Sequence, residues 1–198
     1  MEQQFDITLR IMAREPGNLE LESLLAQCRA ICQDMEKDAG GSWVLPEYFS
    51  SDDDETDFFV FAQSRQKVVG AMANTVFRYK STDRPSLHIQ ATVVRPELQK
   101  RGISAEMFKY LEQHLKGFDR VTSMIDHGNS ISQLSRFAMG FETDAYQNSE
   151  IIRTLFKVVD PKKTVKTWHE ARPATATIYR KGKHLKPTIP QHDKLAEF

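Results

Sequence analysis

The chain has 198 residues, 40% of them hydrophobic and 27% charged, with 27 basic and 27 acidic side chains and a formal net charge of zero. That apolar share, with 12 Phe, excludes a chain that is disordered throughout, and no apolar run approaches the roughly 20 residues of a membrane span. Met1–Asp6 has neither the basic nor the apolar stretch that opens a secretory signal, so a cytoplasmic protein with no membrane partner is expected. The zero is a sum of unlike parts. Residues 1–60 carry 14 acids and 4 bases, residues 61–160 carry 10 and 14, and residues 161–198 carry 3 and 9.

Phe5, Ile7, Leu9 and Ile11 alternate with polar residues, the period of a strand. Pro16-Gly17-Asn18 is a turn, with Asn18 able to cap a helix begun just after it. Leu21, Leu24, Leu25, Cys28, Cys32 and Met35 recur at three and four and predict a long amphipathic helix ending near Gly40-Gly41. Cys28 and Cys32 share one helix face and read as small apolar core residues, not as a metal or redox pair. Residues 42–57 are irregular and include the acidic run Asp52–Glu55.

Phe58–Gln63 and Val68–Phe77 predict a hairpin, and Leu87–Val94 a buried strand. A turn at residues 96–102 leads into a helix whose apolar face is Ile103, Met107, Phe108, Leu111 and Leu115. Val121–Ile125 predicts a strand. A short helix comes next, with Ile131, Leu134, Phe137 and Ala138 as its apolar marks and Gly140 as its cap. Phe141–Tyr146 and Ile151–Val159 predict closing strands, and Ala174–Tyr179 one more. Strands with interleaved helices describe an α/β (α+β) domain over residues 1–160, followed by a basic C-terminal extension, 161–198.

By its residues alone the segment Val93–Ser104 is either a phosphate-binding turn or an ordinary strand–turn–helix with surface bases. A buried strand enters a basic turn that opens a helix, and Gly102 lets the backbone approach a ligand closely. Free N–H groups at a helix start, with the helix dipole, favour a phosphate. Neither the dinucleotide glycine fingerprint nor a P-loop occurs in the chain. The segment resembles the acetyl-CoA-binding motif of the GNAT acyltransferase superfamily: Gln or Arg, two residues, Gly, one residue, then Gly or Ala. Here the positions are Gln99, Gly102 and Ser104, with Ser in place of the last small residue. Val94-Arg95-Pro96 fits the family's strand exit. Asn129, followed eleven residues later by Gly140-Phe141, fits its second block. The resemblance covers roughly residues 5–159 and implies a mixed, mostly antiparallel central sheet flanked by helices.

It further implies acetyl (or another short acyl) transfer from acyl-CoA to a primary amine, with acetyl-CoA as co-substrate and no metal. On this resemblance Gln99, Lys100, Arg101, Gly102, Ile103 and Ser104 hold the pyrophosphate. The backbone of Val93 and Val94 pairs with the pantetheine arm and offers an N–H to the thioester oxygen, and Asn129 sits beside the arm. Many relatives carry a basic carboxylate six residues before the strand-exit valine, where this chain has His88. An imidazole with a pKa near ~6.5 suits that task, and a packed strand histidine is the alternative. His127 is a second candidate. Where relatives place a Tyr acid, four residues before the Gly of the second block, this chain has Arg136. Arg stays charged and cannot donate a proton at neutral pH, but it can stabilise a thiolate. A solvated Arg is the plain alternative. Ser135 and Tyr146 are substitutes for the acid.

The acidic run Asp52, Asp53, Asp54, Glu55 and Asp57 is either a solvated loop or an attractor for a cationic amine, from a small molecule or a protein. Residues 161–187 carry eight bases and one acid, with Trp168, His169, Tyr179 and His184 among them. That composition fits an interaction or homodimerisation arm, or an enzyme acting on an RNA-linked amine. A CoA-binding sensor without catalysis is a further reading, based on the missing Tyr.

Overall fold

The computed structural model describes residues 5–39, 46–78, 85–114, 118, 120–143, 152–158 and 174–178. In chain order these form β1 (Phe5–Ala13), α1 (Leu19–Ala39), a 3-10 turn (Pro46–Phe49), β2 (Phe58–Ser64) and β3 (Lys67–Arg78). Next come β4 (Pro85–Val94), a 3-10 turn (Pro96–Leu98), α2 (Ile103–His114), β5 (Arg120–Asp126) and α3 (Ser130–Ala138). The last strands are β6 (Glu142–Thr143), β7 (Ile152–Val158) and β8 (Ala174–Ile178). The strands make one sheet in the order β6-β7-β5-β4-β3-β2-β1-β8. Every pairing among them is antiparallel except that of β4 with β5. The mixed, mostly antiparallel sheet expected from the sequence is therefore present. β8 draws part of the basic extension to the sheet edge beside β1, while the division at residue 160 lies outside the described residues.

Helices cover both faces. The α1 N-terminus is capped by Asn18, whose Oδ1 accepts the Leu21 N–H at 3.1 Å. Its stripe of Leu21, Leu24, Leu25, Cys28, Ile31 and Cys32 packs on Phe59, Phe61, Ala71, Ala73, Ala91 and Val93. Both cysteines are buried free thiols. Burial pushes the Cys32 pKa up to about 11 and raises Cys28 further, so both behave as apolar core residues. On the opposite face Ile103, Met107, Phe108 and Leu111 of α2 pack on Ile7, Leu9, Phe58, Val60, Met72, Leu87 and Ile89.

Two irregularities in β4 position the site. Ala73 pairs with Ala91 but Asn74 pairs with Ile89, which leaves Gln90 as an extra residue. This bulge reverses the pleat: Leu87 and Ile89 face α2, whereas Ala91 and Val93 face α1. The parallel ladder to β5 holds only Leu87–Val121, His88–Thr122 and Ile89–Ser123. Beyond Ile89 the two strands diverge, and the β5-facing edge of residues 90–94 has no ladder partner among the described residues.

One element departs from its expected pattern. In α3, Ile131 is 64% and Leu134 37% exposed, whereas Gln133 and Arg136 are buried. Polar contacts cause the inversion. Gln133 Nε2 donates to the carbonyls of Asp126 and His127, each at 3.0 Å, and Arg136 reaches hydroxyls on β4 and β5. The expected strand residues beyond Thr143, among them Tyr146, and the helix residues Leu115 and Gly117 lie outside the described residues.

Gly70 on β3 sets how closely α2 approaches the sheet. A Cβ there would stand 3.1 Å from Ile103 Cγ2, 3.2 Å from Met107 Cε and 3.2 Å from the Val93 carbonyl oxygen. Gly70→Val should overpack this contact and destabilise the fold by roughly 1–3 kcal/mol. Urea unfolding of the two proteins checks it, and equal midpoints would show that α2 yields freely.

Candidate active site

On the α1 face of the sheet, beside the part of β4 that α1 covers, a pocket of about 530 Å³ is lined by Thr75, Phe77, His88, Gln90, Thr122, Met124 and Thr154. The loop before β2 supplies its acidic mouth: Asp54, Glu55 and Asp57 also line it, and all three are exposed. That loop is fastened to the bulge. Thr56 Oγ1 lies 2.6 Å from both Asp53 Oδ2 and Gln90 Oε1. Asp57 Oδ2 accepts the Val76 N–H at 2.6 Å, and the Thr75 hydroxyl donates to the Glu55 carbonyl. Asp53 is thus held within the loop, and Asp52 does not line the pocket.

His88 forms the floor. Its Nδ1 is 2.9 Å from Thr122 Oγ1, and the Thr122 hydroxyl donates to the Leu87 carbonyl at 3.3 Å. With the ring proton on Nδ1, Thr122 Oγ1 accepts it while donating to Leu87, and Nε2 keeps a lone pair. Phe77 meets the ring edge-on at 6.2 Å. Burial, and then the charge of Arg136, push the His88 pKa down to about 4, well below the ordinary imidazole value expected from the sequence. His88 is neutral at physiological pH and a weaker base than a free histidine. His127 lies on the exposed turn after β5, away from the pocket lining.

Arg136 approaches the same gap from the α2/α3 face. Its Nη2 donates to Thr92 Oγ1 at 2.8 Å and its Nε to Ser123 Oγ at 3.5 Å, so it spans from Ser123 in the last β4–β5 pair to Thr92 just past it. Only 6% of it is exposed, which corrects the solvated reading. Burial lowers its pKa to about 10, and it remains a cation at neutral pH. Ser135, half-buried on α3, contributes its carbonyl to the helix C-cap.

At the end of β4 the chain turns on Lys100 and Gly102, both at positive φ (60° and 84°). A Cβ on Gly102 would meet nothing within 4 Å, so the turn is open from outside. Glu106 N–H makes the first helical bond to the Gly102 carbonyl, and the N–H groups of Ile103, Ser104 and Ala105 precede any intrahelical acceptor. Gln99 Nε2 donates to the Val94 carbonyl at 3.3 Å. Lys100 is exposed, and Arg101 lies over the Phe5 ring at 6.0 Å. The Val93 side chain is buried in the α1-side core, with Val94 packed on the other, so only their backbone can meet a ligand. Asn129 caps α3, its Oδ1 accepting the Ser132 N–H at 3.1 Å.

Gln90, Thr92, Thr122, Ser123 and Thr154 join the site without being singled out by the sequence. Adjacent polar residues at 122–123 inside an apolar strand are their one visible signal, because two neighbours on a strand face opposite sides. Among the described residues no group of three or more His, Cys, Asp or Glu is arranged to hold a metal ion.

The depressed His88 pKa ties stability to pH. The folded state keeps the ring neutral, whereas the unfolded ring protonates near ~6.5. The stability is fully present above about pH 6.5 and is lost as pH falls toward 4, by roughly 3 kcal/mol. His88→Gln should remove this component and flatten the curve. Urea unfolding of both proteins across that interval measures it, and parallel curves would refute the buried neutral ring.

The family profile described as acetyltransferase (GNAT) matches residues 24–134. No curated protein matches the chain at a significant level. Among solved structures the chain is similar to an acetyltransferase from Thermus thermophilus, at 14% identity and TM-score 0.56, over 77% of this chain and 96% of that one. It is similar to the ribosomal-protein-S18-alanine N-acetyltransferase of Escherichia coli, at 14% identity and TM-score 0.56, over 77% and 94%. Arabidopsis thaliana NAA60, solved with a bisubstrate analogue, aligns at 11% identity and TM-score 0.56 over 77% and 99%. These likenesses describe a common fold, and the profile match spans more than half of the chain. The chain belongs to the GNAT acetyltransferase family and is an acetyl-CoA-dependent acetyltransferase.

Proposed function

We propose that the protein transfers an acetyl group from acetyl-CoA to a cationic primary amine, which enters through the acidic mouth and attacks the thioester directly. One observation carries this reading. The pocket floored by His88 spans β4 and β5 at the end of their shared ladder, next to where the two strands part.

The residues around the gap fit CoA. The open turn at Gly102 supports a pyrophosphate site, with the N–H groups of Ile103 and Ser104 facing no helical acceptor and the charges of Lys100 and Arg101 nearby. The β5-facing backbone edge of β4 through Val93 and Val94, which has no ladder partner among the described residues, suits the amide groups of a pantetheine arm, bound as an added strand. The same edge offers an N–H for the charge that develops on the thioester oxygen. Asn129 acts by starting α3 in register beside that arm.

Asp54, Glu55 and Asp57 attract the ammonium form of the amine. An alkylammonium has a pKa near ~10.4, so its first proton passes to water at the mouth. The neutral amine then hydrogen-bonds to His88 Nε2. Bond formation to the acyl carbon makes the nitrogen strongly acidic, and a weak base such as His88 suffices to take the second proton. His127, outside the pocket, has no part in this.

The test is release of CoA thiol from acetyl-CoA against a panel of a polyamine, an aminoglycoside, a Lys peptide and a peptide with a free N-terminus. Turnover with at least one cationic amine is expected. His88→Ala should lower kcat about 100-fold or more with acetyl-CoA affinity retained. Tight acetyl-CoA binding with no thiol release from any amine would favour a non-catalytic sensor. Unaltered turnover in His88→Ala would remove the base assignment.

A further inference from the structure

Among the described residues, Arg136 is a cation with no anion in contact. Its partners there are the Thr92 and Ser123 hydroxyls, Met139 Sδ at 3.8 Å and the Phe141 ring at 5.8 Å. Burying an unpaired charge costs several kcal/mol, and hydroxyls, a thioether and a ring return only part of it. The location narrows what could complete the set. Thr92 pairs with Met72, and Ser123 with Ile89; Met72 and Ile89 belong to the core on the α2 side. His88 and Thr122 lie on the α1 side. Arg136 and His88 therefore flank the same opening from opposite faces, near enough for the charge of one to depress the basicity of the other.

Acyl transfer proceeds by addition and then elimination, so the group that takes the amine proton and the group that meets the leaving sulfur are separate. With the amine arriving through the acidic pocket on the α1 side, the α2 side of the opening is left for the sulfur.

We propose that Arg136 is a catalytic residue that stabilises the CoA thiolate as it leaves, as a fixed charge and not as a proton donor. This rests on the acetyl-transfer reading above. The amine nitrogen's lone pair forms the N–C bond. The C–S bond breaks, its electron pair stays on sulfur, and the thiolate meets the guanidinium N–H groups. The proton from nitrogen goes to His88 and on to solvent, and the thiolate is released or protonated by water afterwards. Thr92 and Ser123 are positioning residues that hold the guanidinium across the opening.

The experiment titrates free CoA bound to the enzyme and reads the thiolate by its ultraviolet absorbance, which needs no turnover. A free thiol ionises near ~8.5, and an adjacent cation should lower the bound thiol by about 1–3 pKa units. The shift should be lost in Arg136→Gln, largely kept in Arg136→Lys and reduced in Thr92→Val. In parallel, Arg136→Gln should lower kcat with little change in KM, and Arg136→Lys should restore part of it. An unshifted thiol in the unaltered protein, or a shift that survives in Arg136→Gln, overturns the proposal. Melting curves show which variants fold. If Arg136→Gln does not, the comparison of bound with free CoA in the unaltered protein and in Arg136→Lys still decides. Failure of CoA to bind at all overturns the acetyl-transfer reading itself, whereas binding with an unshifted thiol overturns only the role of Arg136.

Discussion

The structure turns on the early end of the one parallel pairing among the described strands. β4 and β5 share three residue pairs and then separate, in the middle of a sheet where backbone N–H and C=O groups are otherwise paired. Strands that part in a core leave polar edges with no solvent to satisfy them. This fold manages the edges in three ways. The bulge at Gln90 reverses the β4 pleat, the guanidinium of Arg136 ties Thr92 to Ser123, and the β4 edge beyond Ile89 remains available to an extended ligand. The helices follow from the same event. α2 begins at the open turn immediately after β4, and α3 begins immediately after β5, so both helix starts converge on the mouth of the opening.

Most of the fold is readable from periodicity because its elements are strongly one-sided. β1 shows its face through Ile7 and Leu9, and α1 through Leu21, Leu25, Cys28 and Cys32, since water on the opposite side demands polar residues. β8 is visible as a short β-prone run, Ala174–Ile178, within a basic tail. α3 turns inward a face different from the one its pattern predicts, keeping Phe137 of the expected apolar marks against the core. A helix lying against a polar opening in the sheet does not obey the rule that apolar residues point inward. Gln133 and Arg136 point inward because strand carbonyls and hydroxyls wait there, and Ile131 and Leu134 are turned outward as a consequence. The bulge leaves no mark in sequence, because it exists only as a mismatch in count between two strands.

The site is legible to the extent that local chain geometry determines it. The turn through Gln99, Gly102 and Ser104 needs a particular backbone, and Gly102 with its φ of 84° records that need. His88 can be found by its distance from the strand exit, because a strand fixes position by count. What the count does not convey is environment. The Thr122 hydroxyl that meets His88 Nδ1 comes from a strand 34 residues away, and the low basicity of the ring arises from burial and from a cation on a helix of the other face. The acidic run can be read as charge, but its service to the pocket depends on Thr56 holding the loop to Gln90.

Under the proposed reaction, the coupling of His88 and Arg136 decides which steps the site favours. A cation beside a buried imidazole makes it a poorer base, which works against removing a proton from a resting ammonium. In its proposed role the same cation would stabilise negative charge on a departing sulfur. In the proposed reaction the burden of deprotonation is then divided. The first proton leaves at the exposed carboxylates of the mouth, where water is plentiful. The second leaves only after the nitrogen has been acidified by the new bond, when a ring as weakly basic as His88 is sufficient. A stronger base in place of His88 would be protonated at rest, placing two cations across the opening. A neutral His88 ring is therefore the form compatible with Arg136.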